Sequence, residues 1–383
     1  VYVWFNDEAN PVQPGAFYTP PDPLPAGVAG EVLRSEKLTR DLPEHAEAWR
    51  VLYLSTDMND RPIAVSGIVI TPTEAVDTPR RILALAHGTQ GIYPACATSQ
   101  LPDALSHIDG LQTMIDQGFV VAITDYPGLG TPGVHPYLIG KSEAQAVLDS
   151  VRAAQNLVPD AGSEFAIIGV SQGGHSAMFS AQLVSTYAPE LTLTGTVTQA
   201  GAFDLAGILQ ARMDDRVGGI LLPFVFYGWA SNYPDIDMDT AVVPEYQERV
   251  EQLAHTCTST PLAYLKVRGI PVPAEFLAID PLTTEPWMSI LAENTPHSPV
   301  DTPLLLVHGT ADSVIPFQGS VDEAAQRCAN GEDVTFLQYP GVEHAAAKES
   351  FLTALGWIED RFDGKPSTSN CANRPPPGLA TAA

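Results

Sequence analysis

The stretch EFAIIGVSQGGHSA, residues 164–177, sets an apolar run directly before Gly169-Val170-Ser171-Gln172-Gly173. The run reads as a buried strand, and GGHSAMFSAQLVSTYA (173–188) reads as a helix. A G-x-S-x-G pattern at such a junction marks a serine on a sharp strand-to-helix turn. The turn lifts the hydroxyl clear of the backbone. It also aims the N–H of the next residue, Gln172, from a helix N-terminus toward charge developing on a reacting carbonyl. Gly169 and Gly173 leave room for close backbone approach. The pattern alone arises by chance in Gly- and Ser-containing chains. Its place between strand and helix is what points to Ser171 as a nucleophile.

Outward from this junction the same rhythm repeats. WRVLYLSTD (49–57) and PIAVSGIVITP (62–72) alternate as antiparallel strands, with a turn at Asn59-Asp60-Arg61-Pro62. RILALAHG (81–88) and FVVAITDYPG (119–128) read as strands. ALSHIDGLQTMIDQG (104–118) reads as a helix ending at Gly118, and 141–158 as an amphipathic helix with Val147, Val151, Ala154 and Val158 on one stripe. LTLTGTVTQAG (191–201) is a further strand. Short apolar runs alternating with helices predict an α/β fold, a mostly parallel sheet with helices on both faces. The alternation stops over 205–294 and resumes at PLLLVHGTADSVIPF (303–317), continuing through VTFLQYPGVEH and a last helix to Phe362. The expected organisation is a core of 1–204 and 295–383 with a mainly helical insertion, 205–294, capping the strand ends. Residues 1–30 read as an irregular N-terminal arm and 364–383 as a Pro-rich tail.

A serine nucleophile needs a base and an orienting acid, expected in the chain order Ser, acid, His at the ends of later strands. Asp312 follows the strand PLLLVHG, and His344 ends VTFLQYPGVEH. Asp204 is the alternative acid. Asp301 precedes its strand, at the wrong end. Asp125 precedes Ser171 and reads as a loop-ordering group. His87 and His308 sit at strand ends and read as packed, hydrogen-bonded histidines rather than catalytic ones. His175 lies on the helix after Ser171 and reads as structural, and Glu343 as pointing away. A second oxyanion donor is expected in HGTQGIYPAC after the strand RILALA, from Thr89, with Gln90 the alternative.

The bulk numbers narrow the classes. Lys and Arg number 19 against 45 Asp and Glu, a net charge of −26, which repels phosphate backbones and argues against nucleic acid as a partner. No apolar run reaches the ~18 residues of a membrane span. The first residues, VYVWFNDEAN, lack a signal-peptide pattern and read as the start of a mature chain. Cys96, Cys257, Cys328 and Cys371 form no C-x-x-C pair, so no metal site is indicated. Four widely spaced cysteines fit two disulfides in an exported protein, with three pairings open. No cofactor is called for by the expected chemistry.

HGTQGIYPAC, DYPGLG, GVSQGGHSA and HGTADSVIP together resemble the secretory lipase family, the Candida lipase A type and its bacterial relatives, over roughly residues 30–371. The resemblance implies an α/β-hydrolase fold, with Ser171, Asp312 and His344 as triad and the insertion as a helical cap. It implies cleavage of carboxylic esters, acylglycerols included. It also implies the pairings Cys96–Cys257, which would anchor the cap, and Cys328–Cys371. The first would close a loop of about 160 residues, nominally worth up to ~5 kcal/mol. Yeast members can carry an acidic residue where Thr89 stands here. The stretch GGILLPFVFYGWASNYP supplies Phe224, Phe226, Tyr227, Trp229 and Tyr233, read either as an acyl-binding wall or as ordinary core. Tyr126, in DYPGLG, is expected at the pocket entrance.

The expected protein is a secreted serine carboxylic-ester hydrolase working through an acyl-enzyme on small hydrophobic esters, including those at a lipid interface, with transesterification open to it. The alternatives are a serine peptidase or amidase on the same fold and an inactive ligand-binding homologue. Oligomeric state and acyl preference are not set by the sequence.

Overall fold

The computed structural model describes residues 14–258, 270–344 and 346–373. Parts of the expected arm (1–13), insertion (259–269) and tail (374–383) lie outside the described residues. Nine strands form one sheet among the described residues: β1 (Val32–Leu38), β2 (Ala46–Thr56), β3 (Pro62–Pro72), β4 (Arg80–Ala86), β5 (Val120–Thr124), β6 (Ala161–Val170), β7 (Thr192–Gln199), β8 (Leu304–Gly309) and β9 (Val334–Tyr339). Their order is β1-β2-β3-β5-β4-β6-β7-β8-β9. The pairs from β1 to β5 across β2 and β3 are antiparallel, and those from β5 to β9 are parallel. The parallel strands are apolar on both faces because helices cover both.

On one face lie α2 (Gly140–Leu157), α3 (Gln172–Tyr187) and α10 (Phe317–Ala329), packing Val147, Met178 and Ala324 against the sheet. On the other lie α1 (Leu111–Asp116) and α11 (Ala346–Phe362), with Met114, Leu355 and Ile358. The α2 stripe Val147, Val151, Ala154 and Val158 is buried, as its spacing requires.

One local reading is corrected, and the structure adds a strand that the sequence reading lacks. Residues 104–118 are not one helix. A 3-10 turn, Ala104–His107, is separated from α1 by Gly110 in the left-handed region at φ 69°. A Cβ on Gly110 would collide with the Phe351 ring, so a partner far along the chain selects glycine and breaks the helix there. The strand β1, VLRSEKL, carries no clear apolar alternation because it is an edge strand with its polar side chains exposed. At the opposite edge, Asn370 of the tail donates to the Val334 carbonyl and covers β9.

Between β7 and β8 the regular structure of the described chain is helical apart from one bridge: α4 (Leu205–Arg212), α5 (Arg216–Ala230), α6 (Met238–Ala241), α7 (Gln247–Ala254), α8 (Pro273–Phe276) and α9 (Trp287–Glu293), joined by loops. These helices form their own apolar cluster with Tyr137, Leu138 and Ile139, the loop leading into α2. Cys96 is bonded to Cys257 and Cys328 to Cys371. The pairing is the one that the resemblance implies.

Candidate active site

Ser171 joins β6 to α3 at φ 57° and ψ −117°, a backbone conformation that a non-glycine residue seldom adopts. The turn is held by what surrounds it. Ser171 N donates to the Gln199 carbonyl at 2.9 Å, and its own carbonyl accepts from the N–H groups of Gly174, His175 and Ala202. A Cβ at Gly169 would strike the Gly173 carbonyl, and one at Gly173 would strike the Ala86 carbonyl. The two glycines are therefore required by backbone crossing at the elbow. Among the described residues the Ser171 hydroxyl holds no hydrogen bond, and the residue lines the central cavity.

His344 lines the same cavity and is 5% exposed. Its Nδ1 lies 2.6 Å from Asp312 Oδ2. Nδ1 donates to the carboxylate, so in the neutral ring Nε2 is the acceptor. Asp312 is held from several directions. Val314 N and Ile315 N donate to Oδ1 at 2.8 and 2.9 Å, and His308 Nε2 donates to Oδ2 at 3.0 Å. Burial acts to raise the Asp312 pKa. The hydrogen bonds from His308 and His344 and the attraction of His344 outweigh it and hold the carboxyl well below the usual carboxylate range. His308 is buried, with Nδ1 accepting from Ser320 Oγ at 2.7 Å. It meets Asp312 at Oδ2, the same oxygen that His344 holds. Sequence order alone could not show this, although the two residues lie four apart in HGTAD.

Gln172 is 2% exposed, and its side chain turns away from the cavity into a buried polar frame. Its amide donates to Glu143 Oε1 at 2.8 Å and to His135 Nε2 at 2.7 Å. His135 donates through Nδ1 to the Pro127 carbonyl, so it is neutral, and burial lowers its pKa to about 4. Glu143 Oε1 also accepts from Leu138 N, and Oε2 lies 2.8 Å from His175 Nδ1. His175 Nε2 donates to the Asn294 carbonyl at 2.8 Å, while the Asn294 side chain accepts from Gly140 N. This frame ties α3, α2 and the end of α9 together beneath Gln172. Glu143, His135 and Asn294 escaped sequence reasoning because nothing in their local pattern marks them.

Thr89 and Gln90 both line the cavity. The Thr89 hydroxyl is bonded to Tyr137 OH at 2.7 Å, and its carbonyl accepts from Thr258 Oγ1. Asp125 accepts from Ser99 N and from the Ser66, Thr98 and Ser99 hydroxyls, ordering the 98–100 loop. Asp204 caps α4 through Gly207 N and takes no part in the cavity wall.

The cavity measures about 1040 Å³. Of the aromatic residues expected on its wall, Trp229 and Phe226 line it. Tyr126, Phe224, Tyr227 and Tyr233 do not. Tyr126 is fully buried, bonded to Ser176 Oγ at 2.7 Å. Phe224 packs edge-on against Tyr137, and Tyr233 bonds to Asn294 and Glu293. Among the described residues no group of three or more His, Cys, Asp or Glu could hold a metal, and no helix is long and apolar enough to cross a membrane.

Comparison with known proteins gives a consistent answer. Lipase A of Moesziomyces aphidis is 23% identical, the match covering 95% of this chain and 83% of that protein. A secreted triacylglycerol lipase of Malassezia globosa is 24% identical, covering 93% and 82%. A protein of Mycobacterium tuberculosis labelled a probable inactive lipase is 26% identical, covering 92% and 83%. Among solved structures, Candida antarctica lipase A superposes with a TM-score of 0.79 at 21% identity, covering 96% of this chain and 90% of that one. The rice cell wall degrading esterase LipA of Xanthomonas oryzae gives 0.72 at 20%, covering 89% and 100%. These likenesses show the α/β-hydrolase fold. Residues 105–370 match the secretory lipase family. On that match the chain belongs to the secretory lipase family and is a lipase or esterase.

Proposed function

We propose that the chain hydrolyses hydrophobic carboxylic esters by a two-step serine mechanism, and that it does so outside the cell. Ser171 Oγ attacks the ester carbonyl while His344 Nε2 takes its proton. Asp312 stabilises the resulting imidazolium and keeps the ring in the productive tautomer. The N–H groups of Gln172 and Thr89 receive the charge that develops on the carbonyl oxygen, each such donor contributing about 10²–10³ in rate. His344 then protonates the leaving alkoxide, and the acyl-enzyme is cleared by water activated at the same nitrogen. An alcohol in place of water gives transesterification. The segment 205–294 serves as a cap supplying much of the acyl-side wall. Names of the relatives, triacylglycerol lipases and a cell wall esterase, set the substrate range to test first.

The observation that carries this reading is His344 Nδ1 at 2.6 Å from Asp312 Oδ2, with His344 and Ser171 both on the wall of one largely apolar cavity. The test is turnover of p-nitrophenyl esters of graded acyl length and of triacylglycerol emulsions, beside a peptide substrate. Ester turnover abolished by Ser171→Ala is expected. Turnover of the peptide alone, or undiminished ester turnover by Ser171→Ala, refutes it. An extracellular location fits two disulfides.

A further inference from the structure

Two groups of apolar side chains line the cavity that Ser171 also lines. The first lies among α4, α5 and α9: Leu205, Leu209, Val225, Trp229 and Leu291. The second lies on the sheet face that α11 covers. The floor there is a single cross-strand row: Ile68 on β3 is paired with Ile123 on β5, Ile123 with Leu85 on β4, and Leu85 with Ile168 on β6. Directly paired residues share a sheet face, so all four side chains point the same way, and all four line the cavity. Three strand spacings give this floor a length of about 14 Å.

The roof over this second group is equally apolar. Leu101, Ala104 and Ile108 come from the loop after the Cys96–Cys257 disulfide, and Phe351 comes from α11. Asp125 holds that loop through Ser99 N and Thr98 Oγ1, both at 3.0 Å. Phe351 occupies the space that a side chain at Gly110 would need. The slot is therefore preformed rather than assembled around a ligand. Its polar lining residues on the same loop are Ser106 and Asp109, both exposed, and His107, half-buried.

Chemistry decides which half of an ester enters. His344 hands its proton to the leaving oxygen, so the alcohol moiety lies on the His344 side. Helix α11 begins at Ala346, two residues on, and brings Lys348 and Phe351 to the cavity wall. We propose that the slot over Ile68, Ile123, Leu85 and Ile168 binds the alcohol moiety, and that the preferred substrates are esters of long unbranched aliphatic alcohols, apolar on both sides of the scissile bond. The proposal rests on the ester-hydrolase reading above.

Two substrate series test it with the full chain: n-alkyl acetates from ethyl to hexadecyl, and methyl esters of fatty acids over the same range. In the alkyl series kcat/KM rises by up to about fourfold per methylene until the floor is covered. Ala104→Phe fills the slot from its roof. The ratio of kcat/KM for dodecyl acetate to that for methyl laurate falls by about tenfold or more, with the loss mainly in KM. Phe351→Ala opens the roof and moves the optimum toward longer or branched alcohols, which keeps the proposal open to refutation if Ala104→Phe fails to fold. A flat alkyl series, or an Ala104→Phe effect confined to the acyl series, overturns it. Calorimetric titration of 1-dodecanol into Ser171→Ala separates the two levels of the argument. If no ester is turned over, the ester-hydrolase reading fails. Saturable 1-dodecanol binding weakened by adding Ala104→Phe still supports the slot, and no binding, or binding that this change leaves intact, overturns it.

Discussion

Replacing Glu143 tests whether the frame under the elbow works as a hydrogen-bond scaffold. Glu143 is fully buried and accepts from Leu138 N, the Gln172 amide and His175 Nδ1. His175 Nε2 donates to a carbonyl, so a second proton must lie on the Nδ1–Oε2 line. Glu143→Leu leaves the Leu138 N–H and one Gln172 amide hydrogen without an acceptor, strips His175 Nδ1 of its partner and so breaks a buried paired group. The expected loss is roughly 3–5 kcal/mol. For 383 residues the entropy of unfolding is about 0.8 kcal/mol/K, which converts this to a fall in Tm of about 4–6 °C. Glu143→Gln behaves differently. Its carbonyl can accept from Leu138 N and Gln172 while its NH₂ donates to His175 Nδ1, now the bare nitrogen of a neutral ring. Every partner is then satisfied, and the expected loss is under about 1 kcal/mol. The assays are guanidinium denaturation, thermal melting and kcat on a p-nitrophenyl ester. Glu143→Leu should also lower kcat by about tenfold or more, because the frame beneath Gln172, the proposed oxyanion donor, loosens. Equal damage by the two variants would show that charge, not hydrogen bonding, governs the frame. A harmless Glu143→Leu would refute the reasoning altogether.

Acid stability should follow Asp312. Its pKa is held below the unfolded value, so its contribution is fully present above about pH 4 and is lost as pH falls through the folded value. Denaturation midpoints between pH 2 and 7 should fall on the acid side, less steeply in Asp312→Asn, whose kcat should drop roughly 10³–10⁴-fold. The Cys96–Cys257 bond spans 161 residues, and its loss through paired Cys→Ala substitution should cost roughly 2–5 kcal/mol. Dithiothreitol should lower the Tm of the parent protein by more than that of the variant.

The elbow and the strand–helix rhythm are legible in sequence because both are local. An apolar strand, two glycines and a serine lie within ten residues, and the reason for each is a backbone contact close by. The order Ser171, Asp312, His344 is likewise readable, since each residue follows a recognisable strand. Where a residue's role depends on a partner far along the chain, the local signal disappears. The helix read over 104–118 breaks at Gly110 because Phe351 needs that space. The edge strand β1 hides because only one neighbour pairs with it.

The aromatic residues of α5 make the same point. Identity shows that Phe224, Phe226 and Trp229 will be buried, but not whether the burying surface is a neighbouring helix or a cavity. His308 and Glu143 read as ordinary residues until folding sets them against Asp312 and Gln172. By itself the sequence determined the fold class, the strained serine and the order of its partners, because periodicity and turn chemistry act over a few residues. Tertiary structure alone decided the cavity, the buried frame and the wall residues, because each depends on which faces meet when distant strands and helices pack.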